Sequence, residues 1–132
     1  RTDLKVPLEF LTNAIKKRCT AFMISDFIDD SDYRNAMTIA NRKHDLVAIQ
    51  VYDRRLAQMP KIGLVKFRDA ETGEEMYVDT SSSKVQAHQR EWWKAQVARL
   101  NEIFNKSRVD SVSISTADDY VKALLNLFAK RS

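Results

Sequence analysis

Apolar residues recur along this chain at two different periods. Leu4, Leu8, Leu11 and Ile15 lie three or four apart, which predicts a helix from Leu4 to Arg18. Thr2 or Asp3 would cap it, Pro7 falls in its first turns, and Lys16, Lys17 and Arg18 suit its C-terminal dipole. The unbroken run Ala21-Phe22-Met23-Ile24 reads as a strand buried on both faces, and Leu46 to Val51 as a second. Between them Asp29, Asp30, Ser31 and Asp32 offer N-caps to a helix with Tyr33, Ala36, Met37 and Ala40 on its inner stripe. Apolar and polar residues then alternate on both sides of Glu71-Thr72-Gly73-Glu74, the pattern of a β-hairpin with Gly73 at a positive φ. A long helix is expected from about Lys84 to Lys106, its stripe formed by Val85, Trp92, Trp93, Val97, Leu100, Ile103 and Phe104. Val109 to Ser115 is a third strand. Thr116, three positions before Asp119, opens a closing helix that runs through Tyr120, Val121, Leu124, Leu125 and Phe128.

Strands separated by helices imply a parallel sheet covered on both faces, so the expected fold is α/β, Rossmann-like. It has three parallel strands in order of appearance and an inserted hairpin. Ala21 to Ile24 should lie at an edge, where an apolar, unguarded strand invites self-association. With 132 residues, of which 44% are hydrophobic and 30% charged, the chain is one folded domain (1–132) and no disordered tail. Nowhere do 18 apolar residues run together, so no membrane segment is read, and a cytoplasmic location is expected. The start at Arg1 suggests a piece of something longer.

Composition removes several chemistries. Gly63 and Gly73 alone cannot build a glycine-rich phosphate loop, and Cys19 with His44 and His88 cannot make the usual zinc site. A net charge of +4 permits acidic partners but is too mild to demand nucleic acid. Ligands of open parallel sheets bind beyond the carboxyl ends of the strands. The candidate binding residues are therefore Ser25 and Asp26, Asp53, and Ser115 and Thr116. Asp26 is the sharpest, since a carboxylate at a strand end can hold a hard cation or act as a nucleophile; the plainer reading is a loop rich in caps. No assisting base lies beside it, so no enzymatic activity is expected. The tryptophans read as core or core margin, Cys19 as a structural thiol, and the bases of the long helix as a solvated face.

Arg1-Thr2-Asp3-Leu4 before a helix, CTAFMISDF, and the hairpin phrase FRDAETGEEMYVDT together resemble the C-terminal part of the bacterial family labelled domain of unknown function fifty-eight. Its members are similar to von Willebrand factor type A domains. That resemblance implies a protein-interaction module without established enzymatic activity, often encoded beside a MoxR-type AAA+ ATPase. It also implies a divalent cation, Mg²⁺, held by an Asp-x-Ser-x-Ser loop, a Thr matched here by Thr2 and an Asp matched by Asp26. Asp-x-Ser-x-Ser is absent, so the metal site is expected to be incomplete here, with its principal loop and three strands lying before Arg1. The alternatives are a small hydrolase or phosphotransfer protein using Asp26, and a basic nucleic-acid binder.

Overall fold

The computed structural model describes residues 3–28, 32–68, 72–117 and 119–131. Five helices and five strands are seen among them, in the order α1 (Lys5–Asn13), β1 (Thr20–Ser25), α2 (Arg34–Lys43), β2 (Asp45–Tyr52), α3 (Arg54–Ala57), β3 (Leu64–Arg68), β4 (Glu75–Asp79), α4 (Ser83–Ser107), β5 (Asp110–Ser115) and α5 (Tyr120–Arg131). β1, β2 and β5 form a parallel sheet in that spatial order, and β3 and β4 pair antiparallel as the expected hairpin. Gly73 has a φ of 74° in its turn.

Strand alternation divides the sheet into two faces. Ala21 and Met23 of β1, with Leu46 and Ala48 of β2, face a core built with Leu4 and Leu8 of α1, Met37 and Ala40 of α2, and Leu100, Ile103 and Phe104 of α4. The opposite parity carries Phe22, Ile24, Ile49 and Ile114, and α5 covers it. The Phe22 and Phe128 rings meet there edge to face with centroids 5.8 Å apart. Arg131 closes this layer through ion pairs to Asp45 and Asp110, at the starts of β2 and β5.

Only β2 is buried on both faces. β1 is not, contrary to its sequence pattern: Phe22 is 47% exposed and Ile24 67%. β1 is an edge strand, and a single helix does not cover the outer face there. The first helix stops at Asn13, so Lys16, Lys17 and Arg18 lie outside it instead of in its last turn. Asp119, not Thr116, caps α5, its Oδ1 accepting from the backbone N–H groups of Val121 and Lys122. The caps expected at Asp29, Asp30 and Ser31 lie outside the described residues; Asp32 accepts from the Arg34 N–H at 3.2 Å. In the N-terminal half of α4, Trp93 is half-buried against Tyr52 with 5.2 Å between ring centroids.

Candidate functional site

At the carboxyl end of β1 the chain makes two successive side-chain-to-backbone turns. Ser25 Oγ accepts from Phe27 N–H and Asp26 Oδ1 from Ile28 N–H, both at 3.0 Å. Between them Phe27 sits in the left-handed region at φ 57°, fully buried, with its ring edge to face on Phe104 at 5.3 Å. The Tyr33 hydroxyl donates to the Phe27 carbonyl at 3.4 Å. The buried ring thus anchors a loop that keeps the Asp26 carboxylate at the surface.

Asp53, after β2, caps the short α3. Its carboxylate accepts from Arg55 N–H at 2.9 Å and pairs with the Arg55 guanidinium at 2.7 Å. The Arg55 side chain, and then its backbone N–H, hold the Asp53 carboxyl down at about 2, against an ordinary 3.8. A depressed carboxyl stabilises the fold above its unfolded pKa, and that contribution is lost as the pH falls through the folded value. The α3 turn is therefore expected to loosen between about pH 4 and pH 2, read as faster amide exchange at residues 55–58. Asp53→Asn should remove that pH dependence. The same acid response in the variant would contradict the assignment.

The loop after α3 and the base of the hairpin are clamped onto α4. Buried Gln86 donates through Nε2 to the carbonyls of Thr80 at 2.6 Å and Met59 at 3.0 Å, and Gln89 donates to that of Leu56 at 2.8 Å. Thr80 Oγ1 donates to the Gly63 carbonyl at 2.7 Å and accepts from Ile62 N–H at 3.1 Å. The result is a groove of about 440 Å³, mainly apolar, whose lining includes Asp53, Leu56, Met59, Val65, Phe67 and Gln89. Ile62 in its lining is 71% exposed and Met76, paired with Phe67, 62%; Leu64 and Tyr77, 70% and 67% exposed, lie on the opposite face of the hairpin with Lys66. Sequence reading missed this groove. Its one legible signal is the pair of glutamines three apart on α4, placed to bond a passing backbone.

At the end of β5, Ser115 Oγ accepts from Ala117 N–H at 3.2 Å, and Thr116 N–H donates to the Tyr52 carbonyl at 2.9 Å. Both line a second, apolar depression of about 320 Å³ with Ile24, Ile49, Tyr120 and Leu124. The candidate residues therefore share one edge of the sheet without converging. Ser25 is in register with Gln50 on one side of β2 and Ser115 with Tyr52 on the other, so about 10 Å of sheet separates them. Thr2 lies outside the described residues. No group of three His, Cys, Asp or Glu side chains suited to a metal ion occurs among the described residues. A single carboxylate at Asp26 does not fit Mg²⁺, which takes six oxygens. His44 is far from Asp26 in the fold: buried at the start of β2, it takes the Cys19 N–H on Nδ1 at 3.1 Å. Nε2 therefore carries the proton and donates to the Leu11 carbonyl at 2.8 Å.

The profile of the family described as "Protein of unknown function DUF58" matches residues 1–100. An uncharacterized protein of Mycobacterium avium is 34% identical over 55% of this chain and 43% of its own length. Uncharacterized proteins of Mycobacterium bovis and Mycobacterium tuberculosis are each 27% identical over 99% of this chain and 41% of their own. The chain thus spans less than half the length of these curated relatives. No solved structure gives a significant match.

Proposed function

The chain belongs to the DUF58 family, and from that premise we propose that it is the C-terminal part of a protein-interaction module of the von Willebrand type A kind. The observation that carries this reading is the uncovered apolar surface of the hairpin and of the groove beneath it. On the hairpin face that lines the groove, the paired Phe67 and Met76 are 42% and 62% exposed, with Ile62 at 71% beside the base, where Gln86 of α4 holds the chain. A contiguous apolar surface on a fixed support is what a protein partner needs and what a free surface avoids. Members of the resembled family are often encoded beside a MoxR-type AAA+ ATPase, which makes such an ATPase the proposed partner, and a cytoplasmic location belongs with that reading. Mg²⁺ would enter in a longer parent, with Thr2 and Asp26 as two ligands and the others from the Asp-x-Ser-x-Ser loop outside this chain. No catalytic step is assigned: Asp26 Oδ1 accepts from the Ile28 N–H, and buried His44 bonds the Leu11 carbonyl instead.

The test is titration calorimetry of this chain and of the longer parent against the purified MoxR-type ATPase. Phe67→Glu with Met76→Glu changes exposed side chains of the groove face and leaves the core intact. Together they should weaken binding by about tenfold or more, the loss of an apolar anchor pair. Undiminished binding by this variant would remove the hairpin from the interface. Failure of both wild-type proteins to bind would remove the proposed partner.

A further inference from the structure

We propose that the groove beneath the hairpin receives an amphipathic helix with an acidic polar face, a proposal that rests on the reading of that surface as a protein interface. The groove is lined wholly by residues between Asp53 and Gln89, and it begins where β2 ends. β2 is already paired on both sides, so a strand joining the sheet beyond β1 leaves the construction of the groove unchanged.

The backbone of the groove decides the form of its occupant. The Gln86 and Gln89 amides donate to the carbonyls of Met59, Thr80 and Leu56, while Thr80 donates to the Gly63 carbonyl and accepts from the Ile62 N–H. β3 and β4 bond each other, and the groove meets the face of that pair through Val65 and Phe67, where side chains and not backbone groups project. An extended peptide lying there would find no row of free donors and acceptors and would leave its own backbone unpaired. A helix satisfies its backbone internally and needs only apolar side-chain contact. Leu56, Met59, Ile62, Val65 and Phe67 supply that contact, and the unbranched Met59 side chain adapts to anchors of different shape.

Charge decides its polar face. The stretch from Arg54 to Arg68, which builds one wall of the groove, holds Arg54, Arg55, Lys61, Lys66 and Arg68 and no acid. Arg55 pairs with Asp53, and Lys66 and Arg68 pair with Glu75 on the far face of the hairpin. Lys61, next to Ile62 of the lining, and Arg90, next to Gln89, are both exposed and join no ion pair among the described residues. Uncompensated cations flanking an apolar groove attract a helix whose polar face is acidic and repel a basic one.

Fluorescence anisotropy of three labelled peptides of about 14 residues, roughly four helical turns, tests this on both this chain and the longer parent. One carries a Leu and Met stripe with glutamates on its polar face, the second has lysines instead, and the third is the acidic peptide with a proline at its centre. The acidic helix should bind about tenfold more tightly than either of the others, and less tightly as salt rises. Lys61→Glu with Arg90→Glu, at exposed positions, should leave folding intact and invert the preference toward the basic peptide. Phe67→Glu with Met76→Glu should bind neither. Equal binding of the acidic peptide with and without proline overturns the helical form. Equal binding of the acidic and basic peptides, or an unchanged preference in the Lys61 and Arg90 variant, overturns the charge assignment. Binding by this chain but not by the longer parent overturns the partner as occupant and gives the groove to the parent's own chain. If the ATPase binds and no peptide does, the helix proposal fails and the interface reading stands. An acidic helix that binds where the ATPase does not upholds this proposal and removes that partner.

Discussion

Replacing Phe27 with alanine is expected to destabilise the fold by about 3–5 kcal/mol, the usual cost of emptying a buried aromatic site. Its ring is fully buried, stacked edge to face on Phe104, and its carbonyl accepts from Tyr33, so three elements lose a common contact. The backbone makes the substitution diagnostic. At φ 57° any residue with a Cβ carries a left-handed penalty of about 1–2 kcal/mol, which alanine keeps and glycine sheds. Phe27→Gly should therefore be less destabilising than Phe27→Ala by about 1 kcal/mol, the reverse of the usual order in regular structure. Urea unfolding of both variants measures the difference. Glycine proving the worse substitution would mean that the left-handed turn stores no such strain. Because the turn presents Asp26, both variants should also speed amide exchange at Ile28.

His44→Ala is expected to cost about 2–5 kcal/mol. The imidazole is fully buried and bridges two segments, the Leu11 carbonyl near the end of α1 and the Cys19 N–H before β1. Alanine leaves both groups without their partner, at about 1–3 kcal/mol for each desolvated group. Thermal unfolding of wild type and variant gives the magnitude, and exchange of the Cys19 amide locates it. A loss below about 1 kcal/mol, with Cys19 exchange unchanged, would mean that water replaces the ring freely and that the bridge is incidental.

The hydrophobic pattern resolved the elements well because each main element has its own period and its own punctuation. Gly73 marks the hairpin turn, and the apolar stripe of α4 runs almost to its observed ends. It failed where burial depends on what lies beside a segment. Ala21 to Ile24 is as apolar as Leu46 to Ile49, but among the described residues β2 has a neighbour on each side and β1 one. Equally apolar runs therefore give a closed strand in one place and an exposed edge in the other. The candidate site shows the same division. That Ser25, Asp26, Asp53, Ser115 and Thr116 end their strands was legible, since strand ends are local. That Ser25, Asp53 and Ser115 turn their side-chain oxygens to backbone N–H groups two residues on was not, nor that two strand spacings hold Ser25 and Ser115 apart.

By itself, then, the sequence determined the α/β class, the parallel order of three strands, the hairpin and the absence of a glycine-rich phosphate loop, because periodicity, turn residues and composition act within a few positions. Only the tertiary structure decided the groove under the hairpin, the left-handed anchor at Phe27 and the bridge at His44. Each of these depends on groups far apart in sequence: Gln86 and Met59 are separated by 27 positions, His44 and Leu11 by 33. Partners at such distances are chosen by the packing of whole elements against one another, which no local propensity encodes.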